Sequence, residues 1–285
     1  MASHRPRHLQ SVNHALRALN LFSPNRSHWS VTQVAGTLGL SKSTASRLLS
    51  TMAAEGFVSK DSHTGLYGLG VRAYEVGLAY LSGLSLRRAA MPSLEEVAFA
   101  VHETVYLGIL GDRAAIYIDK ILSPLSLRVD SHIGVAVPLH ATALGKVLLA
   151  SQPAHYIDAL VAAGLQPYTR RTITTPQALR AEIRLVRTQG FAVDLEEFEE
   201  NLHCIAFPLL DHRGSVVGAF SVSGPAVRLT RQDMDRNLPL FRQAASTISE
   251  RLGFKGSREM APPAASEPGR PAVPRSRVRT SRKGG

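Results

Sequence analysis

The stretch 38-LGLSKSTASRLLSTMAAEGFV-58 reads, from Gly39 onward, as a turn that opens a helix. Ser41 is a good N-cap, and Ala45, Leu48, Leu49 and Met52 fall at i, i+3, i+4 and i+7 on one apolar stripe. The helix macrodipole favours carboxylates near the N-terminus. Yet no acid appears before Glu55, and the polar face carries Lys42, Ser43, Ser46, Arg47 and Ser50.

The flanking sequence accounts for this choice. Residues 12–22, VNHALRALNLF, place Val12, Ala15, Leu16, Leu19 and Phe22 on one helical face, ended by Ser23-Pro24-Asn25. In SVTQVAGTL, Ser30 is a cap and Val31, Val34, Ala35 and Leu38 share a face; Gly39 stops that helix and the Ser41 helix starts two residues later. Two short helices meeting through a Gly-containing turn have helix-turn-helix spacing. After Gly56, FVSK, DSHTG and LYGL read as two short strands around a turn, so residues 12–70 are predicted to form a winged helix-turn-helix.

A recognition helix turns its N-terminal residues toward base edges and phosphates, where carboxylates would be repelled and hydroxyls, free amides and cations would bond. The expected DNA-facing residues are Ser41, Lys42, Ser43, Thr44, Ser46 and Arg47, with His63 and Thr64 at the wing tip. Arg47 is the candidate for guanine readout and Lys42 for a phosphate contact. Taken alone, the Ser41 helix has a plainer alternative as a Ser-rich solvated helix; the ordered set of helix, turn, helix and hairpin favours the DNA-binding reading.

Charge is distributed in the same sense. The 285 residues carry a formal net charge of +11. Residues 71–254 are neutral overall, so the excess lies in 1–70 and in 255–285. That pattern fits a nucleic-acid-binding end joined to something else. No apolar h-region opens the chain and no run is long enough to span a bilayer, so a soluble, cytoplasmic protein with no membrane partner is expected. The single cysteine, Cys204, excludes an intrachain disulfide and a Cys-rich zinc site, and nothing calls for a cofactor.

Residues 71–83 read as a helix, and Leu86 to about His102 as another, interrupted near Pro92; together they suggest a connector, with a linker helix over 71–90. From 91 to 254 short strands (TVYLGIL, AAIYIDKI, SLRV, FAVDL, CIAFPLL, VVGAFSVS) mix with helices at 141–150, near 153–163, near 177–189 and at 230–252. Strands outnumber the crossover helices that a parallel sheet needs, so the expected class is α+β, a mostly antiparallel sensor-type sheet with flanking helices. Residues 1–11 are expected to be a flexible basic N-terminus, and 255–285, rich in Pro and Arg, a disordered basic tail.

Three segments of this second unit hold polar groups where a core should be apolar. Ser221 and Ser223 are two apart and share one strand face; Cys204 stands in an apolar strand; Asp194 closes another. In PLHATALGK, a helix opening near Thr142 would leave the amides of Ala143, Leu144 and Gly145 free, a natural carboxylate seat. These residues suggest a pocket for a small organic acid. The plainer alternative has the serines bonding neighbouring backbone, Cys204 as a small buried hydrophobe and Asp194 capping a turn. His140 could orient a ligand but reads more readily as a capping or packing residue, and Glu196, Glu197, Glu199 and Glu200 read as a solvated acidic run.

The winged helix, YGLGVRAYEVGLAYL, VPLHATALGKVLLA and CIAFPLLDHRGSVVGAFSVSGP together resemble the IclR family of bacterial transcription regulators over about residues 10–253. The resemblance implies an N-terminal DNA-binding winged helix, a linker helix supporting dimer contacts, and a GAF-like C-terminal domain that binds a small organic effector. Assembly as homodimer or homotetramer on an operator is implied too. The family's effector positions map onto Ala143, Leu144, Asp194, Cys204, Ser221 and Ser223. Two departures stand out: Asn201 where a Gly is usual, and Ala143-Leu144 in place of a Gly-Ala pair found in some members.

Two rival functions remain open at this point. An enzyme could use Cys204, His140 and Asp194 as nucleophile, base and orienter, but a thiol in an apolar strand is poorly activated. A non-specific DNA binder could be driven by the basic ends alone. A metal held by His140, His203, Cys204 and Asp194 has no short-range ligand spacing behind it.

Overall fold

The computed structural model describes residues 9–23, 26–83 and 85–256. The expectations for a basic N-terminal extension and a disordered tail fall almost wholly outside them. Near the start, α1 (Gln10–Leu19) already takes in Gln10 and Ser11, two residues earlier than its apolar spacing marked.

Helices α1, α2 (Val31–Leu38) and α3 (Lys42–Ala54) and the hairpin β1 (Val58–Lys60) and β2 (Tyr67–Leu69) build the expected winged helix. Ser30 and Gln33 form a reciprocal capping box that starts α2, and Gly39, at φ 68°, ends it in the left-handed conformation that glycine adopts without steric cost. Ala18, Trp29, Val34, Leu38, Ala45, Leu49, Met52, Val58 and Tyr67 form its core. Full burial of a side chain such as Leu49 contributes about 1.5–3 kcal/mol. Trp29 makes an isolated antiparallel bridge to the wing, exchanging two backbone bonds of 2.9 and 2.8 Å with Tyr67. The α1 stripe is only half used: Ala15 and Leu19 pack inward while Val12 and Leu16 stay exposed, because α2 and α3 cover one side of the helix only.

The wing runs directly into α4 (Val71–Gly83). Gly70 donates to the Phe57 carbonyl at 2.9 Å and Arg72 to the Gly56 carbonyl at 3.2 Å. The two strand ends are so close that a Cβ on Gly70 would lie 2.1 Å from the Gly56 oxygen.

The larger unit is a six-stranded sheet in the order β5-β4-β3-β8-β7-β6, every neighbouring pair antiparallel. The strands are β3 (Thr104–Leu110), β4 (Ala115–Ile121), β5 (Ala136–Val137), β6 (Ala192–Leu195), β7 (Leu202–Leu210) and β8 (Val216–Pro225). Side chains alternate across it: Val105, Leu107, Phe220 and Val222 face one core with α5 (Ser85–Val101) and α9 (Arg231–Arg251). Tyr106, Tyr117, Cys204 and Ala219 face the other, under α6 (Ala143–Ala150), α7 (Ala154–Ala162) and α8 (Pro176–Gln189). The α+β expectation holds.

Three local readings need correction. Helix α5 is no connector: Leu86, Ala90, Leu94, Val97 and Ala98 are buried against the sheet, so the helix that spans residue 90 belongs to the second unit. Nor does Pro92 interrupt it; near this proline the Ala89 carbonyl and the Ser93 hydroxyl are both tied to the Arg251 guanidinium at 3.1 Å. Finally, SLRV is not a strand. Its backbone is engaged by side chains instead of a ladder, with Arg228 donating to the Leu127 carbonyl and Thr104 to that of Val129. The short β5 was not foreseen, since two residues carry no periodicity.

Candidate functional site

Two places gather the residues singled out above. At the first, Ser41 caps α3 by accepting from the Thr44 amide at 3.1 Å, and its hydroxyl also meets those of Ser43 and Thr44 at 3.0 and 2.8 Å. The amides of Lys42 and Ser43 lie in the first turn, where a helix supplies no acceptor. Ser41, Lys42, Ser43, Thr44, Ser46 and Arg47 are all exposed. At the wing tip, His63 and Thr64 are exposed as well, and their amides converge on Asp61 Oδ1 at 2.8 and 2.7 Å. Those bonds, that from Thr64 first, hold the Asp61 carboxyl below its ordinary range.

Two further cations of the winged helix lie over aromatic rings. The Arg26 guanidinium lies 3.5 Å from the Trp29 ring centroid, and the Lys60 ammonium 5.9 Å from that of Tyr67. Sequence reasoning passed over both; an Arg three residues before the only Trp was the available signal.

The second place is enclosed. Strand register puts Asp194 opposite Cys204, and Cys204 opposite Ser223, so three residues from β6, β7 and β8 lie in one row across the sheet. Ser221 sits in the next row, opposite Tyr106. The N-terminus of α6 comes down over these rows. Ala143, Leu144, Asp194, Cys204, Ser221 and Ser223 then line one small, largely enclosed chamber, together with Tyr117, Val129, Ser131 and Phe198. A second, open groove of about 1040 Å³ shares Val129, Ser131, Glu199 and Leu202 with it and leads to the surface.

Helix α6 is buried along its whole length, its start fixed by Thr142, whose hydroxyl accepts from the Gly145 amide at 3.0 Å. The expectation of three free amides is therefore corrected to two, those of Ala143 and Leu144. Leu144 is accommodated by an absence: it packs against Gly108 on β3, where a Cβ would lie 2.8 Å from Leu144 Cδ2. Asn201 adopts φ 62° in the β6–β7 turn, a left-handed conformation that Asn tolerates better than most residues, which explains how it replaces glycine there.

Asp194 does two things at once. Its Oδ1 accepts from the Glu197 amide at 2.7 Å, so it caps a turn, while Oδ2 is buried with no hydrogen-bond partner among the described residues. Burial is the main cause that raises its carboxyl to about 7; the neighbouring Glu197 adds, and Lys146 and two backbone bonds oppose. Behind it Lys146, fully buried, reaches Glu197 Oε1 at 2.5 Å and Glu182 Oε1 at 3.0 Å. The acidic run is thus not simply solvated: Glu197 closes on Lys146 and Glu196 on Arg171 at 3.0 Å, leaving Glu199 and Glu200 exposed.

Burial also raises the Cys204 thiol far above its ordinary value, aided by Asp194 and opposed by a bond to Ser223. His140 is buried, bonded to the Gln166 carbonyl at 3.0 Å and set against Tyr168, which fits the packing role. His203 is bonded to the Leu229 carbonyl at 2.9 Å. Among the described residues no three His, Cys, Asp or Glu side chains converge as a metal site requires, and no helix is long and apolar enough to cross a membrane.

Comparison with known proteins agrees with both halves. Residues 11–62 match the IclR helix-turn-helix domain and residues 78–250 the C-terminal domain of bacterial transcriptional regulators of the IclR type. The HTH-type transcriptional regulator XynR of Escherichia coli is 34% identical over 248 residues, 86% of this chain and 98% of that protein. A putative IclR transcriptional regulator from Silicibacter sp. TM1040 superposes with a TM-score of 0.79 at 28% identity, over 86% of this chain and 97% of that one. An IclR homolog from Microbacterium hydrocarbonoxydans, crystallised with 4-hydroxybenzoate, shares the fold at a TM-score of 0.75 and 24% identity, over 85% and 98% of the two chains.

Proposed function

The chain belongs to the IclR family of bacterial transcriptional regulators, and on that premise we propose that it binds a specific DNA operator through α3 and the wing under the control of a small organic acid held in the chamber. One observation carries the reading: six residues scattered from 143 to 223 in sequence converge on a single enclosed space beneath the amides that open α6. A core built only for stability has no use for an unpaired carboxylate oxygen, two serines and open amides at one place.

The division of labour at the DNA follows from chemistry. Arg47 reads a guanine edge through its planar fork, while Lys42 pairs with phosphate as a point charge. Ser41, Ser43, Thr44 and Ser46 offer hydroxyls to the backbone or to base edges, and His63 and Thr64 reach the flanking strand from the wing. Two copies of the chain, as a dimer or a pair of dimers, would present two such helices to successive major grooves. In the chamber the amides of Ala143 and Leu144 take the effector's carboxylate, and Ser221, Ser223, Cys204 and Asp194 meet its remaining polar groups. Effector binding that shifts the two-state balance by about 1–3 kcal/mol changes operator affinity roughly 5- to 150-fold. The high thiol pKa of Cys204 and the engagement of His140 elsewhere offer nothing to a nucleophilic mechanism.

The test uses the whole chain. Fragments upstream of its own and neighbouring reading frames are screened for binding at moderate ionic strength, with and without a panel of small aliphatic and aromatic acids that includes 4-hydroxybenzoate. A preferred fragment whose affinity changes with one acid is the expected result. Uniform, acid-independent binding to every fragment would return the reading to a non-specific DNA binder.

A further inference from the structure

The chamber is unevenly supplied with charge, and this bears on what it holds; the argument rests on the effector reading above. Lys146 is the cation that acts on Asp194, but its ammonium is fully buried and already shared between Glu197 of the β6–β7 turn and Glu182 of α8. No Lys or Arg lines the enclosed space. The groups facing Asp194 are otherwise acidic or neutral: Glu197 and Glu199 from its own turn, Cys204 on β7, Ser221 and Ser223 on β8, Tyr117 on β4. Three carboxylates, those of Asp194, Glu182 and Glu197, thus stand against one ammonium.

We propose that Asp194 meets the effector as a carboxylic acid, its buried Oδ2–H donating to the ligand, so that the site selects acids of a single negative charge and takes up one proton as they bind. The ligand's carboxylate sits on the amides of Ala143 and Leu144. One of its oxygens, or a hydroxyl or keto oxygen beside it, accepts from Oδ2 and supplies the partner that this atom lacks. An ionised Asp194 would instead repel that oxygen at a buried position, where like charges interact more strongly than in water. Inside the enclosed space a second carboxylate or a phosphate on the ligand would meet no Lys or Arg, because Arg128 lines only the adjoining groove. A carboxyl raised by burial to about 7 places the proton within easy reach at neutral pH.

Proton linkage fixes the signs. Protonated below about pH 6 and ionised above about pH 8, Asp194 favours binding on the acid side; between pH 6 and 8.5 a monocarboxylate should weaken by about 30-fold. Because the folded carboxyl lies above its unfolded value of 3.8, its contribution to stability is fully present below that value and lost as pH rises through about 7. Asp194→Asn keeps a donor and removes the titration, so relative to wild type it should gain thermal stability at pH 8.5 over pH 6.

The experiment takes the full chain, wild type and D194N, first through thermal unfolding at both pH values. Calorimetric titration follows with monocarboxylates (lactate, benzoate, 4-hydroxybenzoate) and dicarboxylates (malate, phthalate). The proposal expects the tightest ligand to be a monocarboxylate, its wild-type affinity to fall with pH as stated, and the fall to shrink below about twofold in D194N. Proton uptake by the wild type alone, read in buffers of different ionisation enthalpy, should be close to one at pH 8.5, a measurement that needs no variant. Binding of a dicarboxylate as tight as any monocarboxylate, or an unchanged pH profile in D194N, overturns it. A pH-dependent stability difference with no acid bound at all overturns it through the effector reading, while the titration of Asp194 stands.

Discussion

Helix α3 starts at Lys42 behind a capping Ser41, helix α6 at Ala143 behind a capping Thr142, and neither has an acid in its first turn. Each leaves two amides for a partner that the helix does not provide. The surroundings then divide them. The start of α3 lies in water, ringed by exposed hydroxyls and cations, whereas α6 is buried from end to end beside a carboxyl raised to about 7. An open terminus suits a long polyanion that brings its own high charge and is held by many weak, screened contacts. A closed one suits a small anion held by a few unscreened contacts, where each buried charge must be balanced one for one.

The comparison can be broken most forcefully at Lys146. Replacing it with Met removes the one cation behind the closed terminus and strands Glu182 and Glu197, so a loss of about 3–5 kcal/mol in chemical denaturation is expected. At the open end the matching change acts on binding instead of folding. Arg47→Ala should cost about 1–3 kcal/mol on the preferred fragment and relax preference at one base pair, with an unaltered denaturation midpoint. Lys42→Ala should weaken preferred and random DNA alike and lower the salt slope by about one; equal behaviour of the two variants would merge the roles assigned to them.

Smaller effects sharpen the contrast. Ser41→Ala removes a cap worth about 1 kcal/mol, and because its hydroxyl also orders Ser43 and Thr44, DNA affinity should fall along with stability. Least of all should be the response of the closed terminus to salt. From about 0.1 to 0.5 M, DNA binding should fall steeply, whereas effector affinity measured by titration should change less than about twofold. A steep fall in both would mean that the chamber is open to ions.

These two ends were not equally legible in the sequence. The winged helix follows from local signals: apolar spacing, Ser30 and Ser41 as caps, Gly39 as a stop, each acting within a few residues. The chamber residues were readable one by one, since two serines on one strand face or an Asp ending an apolar run are odd locally. Their assembly was not, because it depends on register: Asp194, Cys204 and Ser223 form a row only once β6, β7 and β8 pair. Lys146 shows the limit well. In ALGKVLLA it looks like the polar position of an amphipathic helix, and its true partner Glu197 lies 51 residues on, in a run that looks solvated. The segment around Val129 was misread for a related reason, as Val129 lines the chamber and does not extend the sheet.

The tight joint between Gly56 and Gly70 bears on how the distant parts communicate. With a carbonyl oxygen where a methyl group would be and hydrogen bonds on both sides, the wing and the first turn of α4 have no room to pivot. Under the proposed effector control, the 13 residues of α4 would act as a lever about 20 Å long with the winged helix joined to its tip. A tilt of about 5° at the far end would carry that tip through about 1.7 Å, more than a base-specific hydrogen bond tolerates. Signalling in such an arrangement is a matter of aim, and a side chain at residue 70 would spoil the weld before it touched either ligand.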